Sequence, residues 1–173
     1  MTVAPHETLN FTKYAPKEMS RSRTKRIIVT ADRDYPVAKF IVEYLRSKGY
    51  EVILMGALKD GRPIPWPDAG YLAAKSLARG EADTAVMMCY TGTGITIVAN
   101  KVKGVRAAPC VDAQTARLAR LLNDANALTF GARLITEDLA KEILDAWLSV
   151  EEPDQSRADR FKRVKEIEDA EFK

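Results

Sequence analysis

The sequence predicts a single α/β domain built on a parallel sheet, and three observations support this prediction. Short apolar or β-branched segments of strand length alternate along the chain with segments of helical period. The segment Thr84–Cys89 is an almost continuous apolar run, which is typical of a central strand buried on both faces. The length of 173 residues is enough for one ordinary core and too short for two substantial ones.

The first elements predict a βαβ unit that follows a polar leader, residues 1–25. Residues 27–31 are a β-branched run of strand length, and Glu51–Gly56 is a second strand. Between them, apolar residues recur at the spacing i, i+3, i+4, i+7 and i+8, which predicts a helix. These residues are Val37, Phe40, Ile41, Tyr44 and Leu45. Pro36 suits the first turn of this helix, and Gly49 suits its C-terminal stop.

The middle of the chain predicts a loop, two helices and the central strand. Residues 59–67 contain one glycine and three prolines, which predicts a stiff surface loop that could cover a cleft. A helix is expected at residues 68–80, before the strand Thr84–Cys89. A short helix is expected at residues 95–101, closing near Gly104.

The C-terminal half predicts two more strands and three more helices. The strands are residues 105–109 and 127–130. Asp112 is placed to cap the helix between them, and Thr136 is placed to cap the next one. Residues 157–172 predict a charged helix whose apolar positions are sparse. Because such a helix buries little by itself, we expect it to pack on a partner subunit.

Charge and hydropathy exclude several classes of protein. The formal net charge is +3, but the first 26 residues carry six bases and two acids, which leaves −1 on the rest of the chain. A nucleic-acid-binding surface is therefore not expected on the folded body. No apolar run approaches the roughly 20 residues of a membrane span, and the amino terminus lacks the apolar stretch of a signal peptide. The expectation is a soluble cytoplasmic protein.

Histidine and cysteine are scarce, which restricts the possible chemistry. The one histidine, His6, lies in the leader. A Ser-His-Asp triad, a Cys-His pair or a multi-histidine zinc site in the core is therefore not expected. Cys89 and Cys110 are too few for a disulfide framework or a four-cysteine metal site. Acid–base chemistry would fall to Cys, Asp, Glu, Lys or Tyr.

A candidate site lies beyond the carboxyl ends of two predicted strands, where parallel sheets bind ligands. The first strand leads into Asp32 and Arg33, and the central strand ends at Cys89 and a glycine-containing turn. Because that turn leads into a helix, its backbone N–H groups suit a phosphate or a developing oxyanion. The same positive field would favour a thiolate at Cys89.

Each of these residues also has a purely structural interpretation. A cysteine that ends an apolar strand is often a buried hydrophobe. Gly92 and Gly94 by themselves form neither a P-loop nor a dinucleotide fingerprint. Cys110 is expected to be structural, and Lys101 and Lys103 are expected to be solvated charges at a helix end.

Longer motifs change the balance between these interpretations. Residues 89–108 read CYTGTGITIVANKVKGVRAA, and shorter motifs lie before and after this segment. These are Ala31-Asp32, NDAN at 123–126, FGAR at 130–133 and DAWL at 145–148. Together they resemble the type B ribose-5-phosphate isomerase and galactose-6-phosphate isomerase family, over about residues 26–167.

This resemblance implies a fold, an assembly and a reaction. The fold is a three-layer α/β/α arrangement with a five-stranded parallel Rossmann-like sheet. The assembly is a homodimer or a dimer of dimers, with sites at the interface. The reaction is aldose–ketose isomerisation of a phosphosugar, by C1–C2 proton transfer through an enediolate, without metal or coenzyme. The isomerase domain would span residues 26–173.

The resemblance also implies roles for individual residues. Cys89 matches the thiol base and Thr91 a hydroxyl near the sugar oxygens. Asp32 matches the first-strand carboxylate that touches substrate, and Asn123 matches a substrate-binding amide supplied across the interface. The remaining matches are the enediolate-binding turn Gly92, Thr93 and Gly94 and one phosphate-binding arginine, Arg163. We expect Arg33 and Tyr90 to be neighbouring substrate contacts, and Arg157 and Arg160, which flank Asp159, to help bind the phosphate.

Four departures from the family pattern suggest an altered specificity. Leu122 stands where the family has a ring-opening histidine, and Arg33 stands where it has a histidine after the aspartate. Tyr90 replaces a glycine, and Asp159 aligns with one phosphate-binding arginine. We expect a phosphosugar isomerase that prefers open-chain or short substrates to ribose 5-phosphate. The alternative is a non-catalytic sugar-phosphate-binding or regulatory subunit of the same fold.

Overall fold

Five strands and six α-helices alternate along residues 25–172, which are the residues that the computed structural model describes. The strands are β1 Arg26–Ala31, β2 Glu51–Gly56, β3 Thr84–Cys89, β4 Ala107–Pro109 and β5 Ala127–Gly131. The helices are α1 Pro36–Ser47, α2 Trp66–Ala78, α3 Thr93–Ala99, α4 Ala113–Asn123, α5 Glu137–Leu148 and α6 Ala158–Glu171, with a 3-10 turn at Gln155–Arg157. Almost all of the predicted leader, His6 included, lies outside the described residues.

The strand β3 lies at the centre of a five-stranded parallel sheet with the order β2-β1-β3-β5-β4. All six residues of β3 are buried, which confirms the prediction drawn from its apolar run. In the register, Ala31 pairs with Met88, and Cys89 pairs with Gly131. The carboxyl ends of β1, β3 and β5 therefore meet at one edge of the sheet.

Helices cover both faces of the sheet, which confirms the three-layer α/β/α prediction. Apolar side chains of α1, α4 and α5 pack on one face together with strand residues such as Val29 and Met88. Those of α2 and α3 pack on the other face with Ile28, Met87 and Cys89. Because successive strand side chains point to opposite faces, Cys89 is directed toward α2 and α3.

The predicted helix caps are present, and two helix starts differ from the prediction. Asp112 Oδ1 accepts from Thr115 N at 2.7 Å, and Thr136 Oγ1 accepts from Leu139 N at 3.2 Å. The helix α2 begins two residues before the predicted start at 68, because Pro67 fits its first turn. The helix α3 also begins two residues early, at residue 93 instead of 95, and ends at residue 99.

The edge strand β4 is shorter than predicted, three residues instead of five. Arg106 N donates to the side chain of Asn126 at 2.8 Å, outside the strand ladder. On the other side, the Asn100 side chain bonds Ala107 as a neighbouring strand would. Its Nδ2 donates to Ala107 O at 2.9 Å, and its Oδ1 accepts from Ala107 N at 2.8 Å.

The helix α6 has no buried residue and is attached to its own chain near the end of α3. Lys103 Nζ pairs with Asp169 Oδ1 at 2.7 Å, and Gly104 N donates to Glu168 Oε1 at 2.6 Å. The Lys103 side chain is half-exposed, in line with the solvated charge expected at this helix end, and it also forms this ion pair. Between α6, α4 and β4 lies a groove of about 690 Å³. Packing of α6 on a second subunit stays a prediction.

Within residues 25–172, no helix combines the length and the apolar character that a membrane crossing requires.

Candidate active site

At the sheet edge between β1 and β3, the chain leaves the sheet in two directions, and in parallel α/β sheets such a divergence forms a crevice. The segment after β1 leads to α1 on one face, and the turn after β3 leads to α3 on the other face. Such a divergence between neighbouring parallel strands is the usual ligand site of this class of fold. Asp32 borders the crevice on one side and Cys89 on the other.

Asp32 is held tightly at the end of β1. Its N–H donates to Met88 O at 3.3 Å, and its carbonyl accepts from Ile64 N at 3.0 Å. The residue is 8% exposed, and its Oδ1 is buried without a hydrogen-bond partner in the structure of residues 25–172. Ile64 belongs to the proline-rich segment, so the predicted surface loop does lie over the site. Arg33, the next residue, is exposed.

Cys89 is the last residue of β3, and it is 4% exposed. Its carbonyl accepts from Ala132 N at 2.9 Å, which ties the turn after β3 to the end of β5. Gly92 has a φ of +79°, and a Cβ there would lie 2.7 Å from the carbonyl carbon of Phe130. Only glycine accommodates both the conformation and the close backbone contact.

The start of α3 offers backbone donors to a ligand. Thr93 N lies 3.4 Å from Thr91 Oγ1, and Thr96 uses both its N–H and its hydroxyl on Gly92 O. The N–H groups of Gly94 and Ile95 donate to no acceptor within the described part of the chain. A cavity of about 380 Å³ lies against this turn and α3, lined by Thr91, Thr93, Thr96, Ile97, Asn100, Lys101 and Pro109.

Tyr90 is 61% exposed, so its ring projects away from the core of the site. A different aromatic residue, Trp66, lies over the turn. A Cβ on Gly94 would be 2.8 Å from the Trp66 ring, which is 42% exposed.

Sequence reasoning missed Trp66, Tyr35 and Arg133, all of which border the site. Arg133 follows β5, and its N–H donates to Tyr90 O at 3.1 Å. Burial and the neighbouring Asp32 carboxylate raise the pKa of Tyr35 to about 12. Two signals were available in the sequence: a tryptophan between two prolines at a helix start, and an arginine just after a strand.

Cys110 lies apart from this cluster, just after β4, and is 2% exposed. Burial, and secondarily Asp112, raise the pKa of its thiol to about 12, so it stays protonated at neutral pH. This fits the structural role expected for it. No group of His, Cys, Asp and Glu that could hold a metal ion occurs within the residues described.

The remaining predicted residues lie elsewhere on the chain. Asn123 ends α4, on the side where β5 begins, whereas Cys89 stands where β3 ends. Asn123, Arg157 and Arg160 border the groove beside α6, together with Leu122. Arg163 pairs with Glu166 at 3.2 Å on the exposed side of α6. One chain thus carries two separate groups of predicted site residues.

Comparison with known proteins gives a consistent set of relatives. D-erythrulose-4-phosphate isomerase of Pectobacterium atrosepticum is 41% identical over 64% of this chain and 73% of its own length. Ribose-5-phosphate isomerase B of Escherichia coli is 38% identical over 74% of this chain and 85% of its own. The structure of Clostridium thermocellum ribose-5-phosphate isomerase B matches with a TM-score of 0.76 and 38% identity, over 84% of this chain and 98% of that one.

The sequence profile of the Ribose/Galactose Isomerase family matches residues 27–167. This range includes most of α6 and all of the strands, apart from the first residue of β1. This confirms the resemblance drawn from the turn after β3 and the shorter motifs. The chain belongs to the ribose/galactose isomerase family.

Proposed function

We propose that the protein is an aldose–ketose isomerase that acts on a phosphosugar. The observation that carries this proposal is the crevice between β1 and β3. There, a buried thiol, a carboxylate with an unpaired oxygen and unpaired backbone N–H groups lie at the same edge of the sheet. A base and an oxyanion-binding turn are what abstraction of a proton next to a carbonyl requires. The names of the curated relatives support the same reaction class.

In the proposed mechanism, Cys89 moves the proton between two carbons. Its thiolate removes the proton from C2 of the aldose, and the C–H electron pair becomes the enediolate double bond while the carbonyl oxygen becomes negative. The amides of the turn formed by Gly92, Thr93 and Gly94 donate to that oxygen. Cys89 then returns the proton to C1, and the O2 proton passes to O1, with Thr91 placed beside the sugar oxygens. Preorganised donors of this kind contribute several kcal/mol, roughly 3 per donor.

The substrate would contact both sides of the crevice. Asp32 accepts from a substrate hydroxyl, while Arg33 and Tyr90 border the entrance. A carboxylate and a guanidinium of this kind make stronger hydrogen bonds than neutral groups do. We propose that no metal ion or coenzyme takes part, because base and oxyanion donors suffice for this reaction.

A second subunit would complete the site. Asn123, Arg157, Arg160 and Arg163 are the proposed amide and phosphate ligands, yet within one chain they lie apart from Cys89. A homodimer in which each subunit presents these residues to the crevice of the other brings the two groups together. In a two-fold dimer, such exchange produces two equivalent sites.

The preferred substrate is proposed to have four carbons. Pentose and hexose phosphates exist mostly as rings, and an acid–base group helps to open them. Leu122 is aliphatic and has no such function. A tetrose 4-phosphate cannot close a furanose, because its terminal oxygen carries the phosphate. The relative named D-erythrulose-4-phosphate isomerase supports this choice.

The substrate is tested by kcat/KM for erythrose 4-phosphate and ribose 5-phosphate, with Leu122→His as the companion variant. We expect faster turnover of the four-carbon substrate by the natural chain, and a gain for ribose 5-phosphate in the variant. Efficient turnover of ribose 5-phosphate that the histidine does not improve would refute the four-carbon proposal.

The base is tested by Cys89→Ala, with Cys110→Ala as the matched control. Loss of a general base lowers the rate by about 10²–10⁴-fold. Cys110→Ala removes an equally buried thiol outside the crevice and should leave kcat/KM near its original value. Near-full turnover by Cys89→Ala would show that the base lies elsewhere. Phosphosugar binding without turnover by the natural chain would indicate the non-catalytic alternative, which the outward position of Tyr90 does not favour.

A further inference from the structure

Tyr35 lies beside both sides of the crevice, although it belongs to none of the motifs found in the sequence. It is the N-cap residue of α1, and hydrogen bonds fix its backbone. Its N–H donates to Arg33 O at 3.0 Å, and its carbonyl accepts from Ala38 N at 3.0 Å and Lys39 N at 3.3 Å. Its ring packs against the core on the α1 face of the sheet. The position of the phenol is therefore set by the fold.

Two buried polar atoms lie at this place without a hydrogen-bond partner at normal geometry. They are Tyr35 Oη and Asp32 Oδ1, and among the described residues the only other such side-chain atoms belong to Arg26 and Arg157. A buried polar atom that lacks a hydrogen bond costs free energy, so its presence in a native structure needs an explanation. One of these two atoms is a donor and the other an acceptor. They are complementary to each other.

The phenol is a proton donor throughout the physiological pH range. Burial is the first reason why the pKa of Tyr35 rises to about 12, and the second is hydrogen bonding to the Asp32 carboxylate, although the two side chains do not reach normal hydrogen-bond geometry. Arg33 acts in the opposite direction, and Cys89 adds to the rise. Because Asp32 and Cys89 both influence the same phenol, Tyr35 lies within electrostatic range of both sides of the crevice.

We propose that Tyr35 is a positioning residue for Asp32. In the substrate complex its phenol donates to Asp32 Oδ1, which leaves Oδ2, the less enclosed oxygen, to accept from a substrate hydroxyl. Active-site hydrogen bonds are often long or poorly aligned in the free enzyme and tighten when substrate is bound. This explains why the two atoms do not reach normal hydrogen-bond geometry without a ligand. The inference rests on the proposed function, in which Asp32 contacts the substrate.

Tyr35→Phe keeps the ring and removes only the phenol oxygen. We expect kcat/KM to fall about tenfold, the effect of one hydrogen bond to a charged group. The melting temperature should hardly fall, because the oxygen that is lost makes no hydrogen bond of normal geometry in the free protein. A merely structural tyrosine would show the reverse, a lower melting temperature with unchanged kcat/KM, and that result would overturn the proposal.

Tyr44→Phe is the matched control, since it removes a phenol–carboxylate hydrogen bond from the same helix. The Tyr44 hydroxyl donates to the carboxylate of Asp145, at an exposed position where α1 and α5 pack against each other. This variant should lose some thermal stability and keep its kcat/KM.

A double-variant cycle tests whether Tyr35 acts through Asp32. Tyr35→Phe should have little further effect in an Asp32→Asn background, because the carboxylate that it positions is already absent. If the two effects instead multiply, Tyr35 acts independently of Asp32 and the proposal is wrong.

A binding measurement separates this inference from the proposed function. The probe is erythronate 4-phosphate, an acid that cannot isomerise, and its Kd is measured by calorimetry on the natural chain and the three variants of the cycle. If no phosphosugar is turned over, the isomerase proposal fails, yet coupling of Tyr35 and Asp32 in the Kd values still supports the positioning role. If the natural chain is active and the cycle shows no coupling in kcat/KM or Kd, the positioning role alone fails.

Discussion

Gly92 and Gly94 shape the turn after Cys89 for different physical reasons. At Gly92, a Cβ would meet the backbone of Phe130 in a left-handed conformation. At Gly94, it would meet the Trp66 ring, which is the end of a movable side chain. Backbone cannot yield as a side chain can, so the two positions differ in what a methyl group does to the protein.

We therefore expect Gly92→Ala to lower the free energy of unfolding by about 1–3 kcal/mol. Gly94→Ala should instead leave stability nearly unchanged and push the Trp66 ring into solvent. Urea unfolding measures the first effect, and tryptophan emission measures the second. Trp147 is 1% exposed, so a shift to longer wavelength reports Trp66. A stable Gly92→Ala variant, or an unshifted spectrum for Gly94→Ala, would contradict this account.

In the folded protein, Cys110 should not react with iodoacetamide at pH 8. Burial raises the pKa of Cys110 to about 12, so almost none of its thiol is ionised at that pH. We expect the folded Cys89→Ala variant to remain unlabelled, and mass spectrometry checks this. In urea, the Cys89→Ala and Cys110→Ala variants should each be labelled at the cysteine that remains. Rapid labelling of the folded Cys89→Ala variant would show that Cys110 is reached by solvent.

Residue positions were predictable where a strand fixes them. Asp32 and Cys89 end predicted strands, so their meeting at one sheet edge followed from the parallel arrangement. Tyr35, Trp66 and Arg133 lie on connecting segments. Their places depend on how each segment crosses the sheet edge and on ring packing, neither of which has a sequence period.

At the level of elements, Asp112 and Thr136 cap their helices with the same geometry but different chemistry. The Asp112 carboxylate accepts from the hydroxyl and the N–H of Thr115, which lowers its pKa below the usual range. Thr136 is neutral and accepts only from Leu139 N. One cap is therefore sensitive to pH and the other is not.

Thr136→Ala should lower the free energy of unfolding by about 1 kcal/mol at any pH. Asp112→Ala should be destabilising at pH 7, with an effect that declines as the pH falls below about 4. The sign follows because a carboxyl whose pKa is lowered in the folded state stabilises above its unfolded pKa and loses that effect on protonation. Urea midpoints at pH 7 and pH 3 measure both, and equal effects of Asp112→Ala at the two values would refute the assignment.

Truncation after Pro153 removes the 3-10 turn and α6. Because no residue of α6 is itself buried, the sheet and its other helices should stay folded. If α6 carries ligands for the site of a second subunit, both dimerisation and phosphate-ester binding weaken. Analytical ultracentrifugation and calorimetry with erythronate 4-phosphate check these expectations. A truncated chain that stays an active dimer would contradict them.

Element boundaries were less predictable than element order. Apolar periodicity located every strand and helix from β1 to α5, because each buries one face or two. The early starts of α2 and α3 were missed, since Pro67 and the left-handed Gly92 act at the first turn without altering the apolar pattern. The length of β4 depends on hydrogen bonds from the side chains of Asn100 and Asn126, which lie 7 and 20 residues from the backbone groups that they bind, and apolar periodicity does not report such bonds.

At the scale of the whole molecule, a site shared between two subunits makes a distinctive prediction for mixed dimers. Cys89→Ala and Asn123→Ala should each be nearly inactive alone. When the two are unfolded, mixed and refolded together, the mixed dimers contain one site with both defects and one with neither. About a quarter of the natural activity should then return. Recovery far below this value would place all functional groups within one chain.

The bonds between Asn100 and Ala107 have a consequence for behaviour at high concentration. An open strand edge exposes unpaired N–H and C=O groups, to which the edge of another molecule can add, and this is a common start of aggregation. On β4, the amide of Asn100 occupies both groups of Ala107 in the way a neighbouring strand would. With only three residues in the strand and a proline as the last, little of that edge is left for a foreign strand. Asn100 thus disfavours the addition of a foreign strand, and with it fibril-like growth, on this side of the sheet.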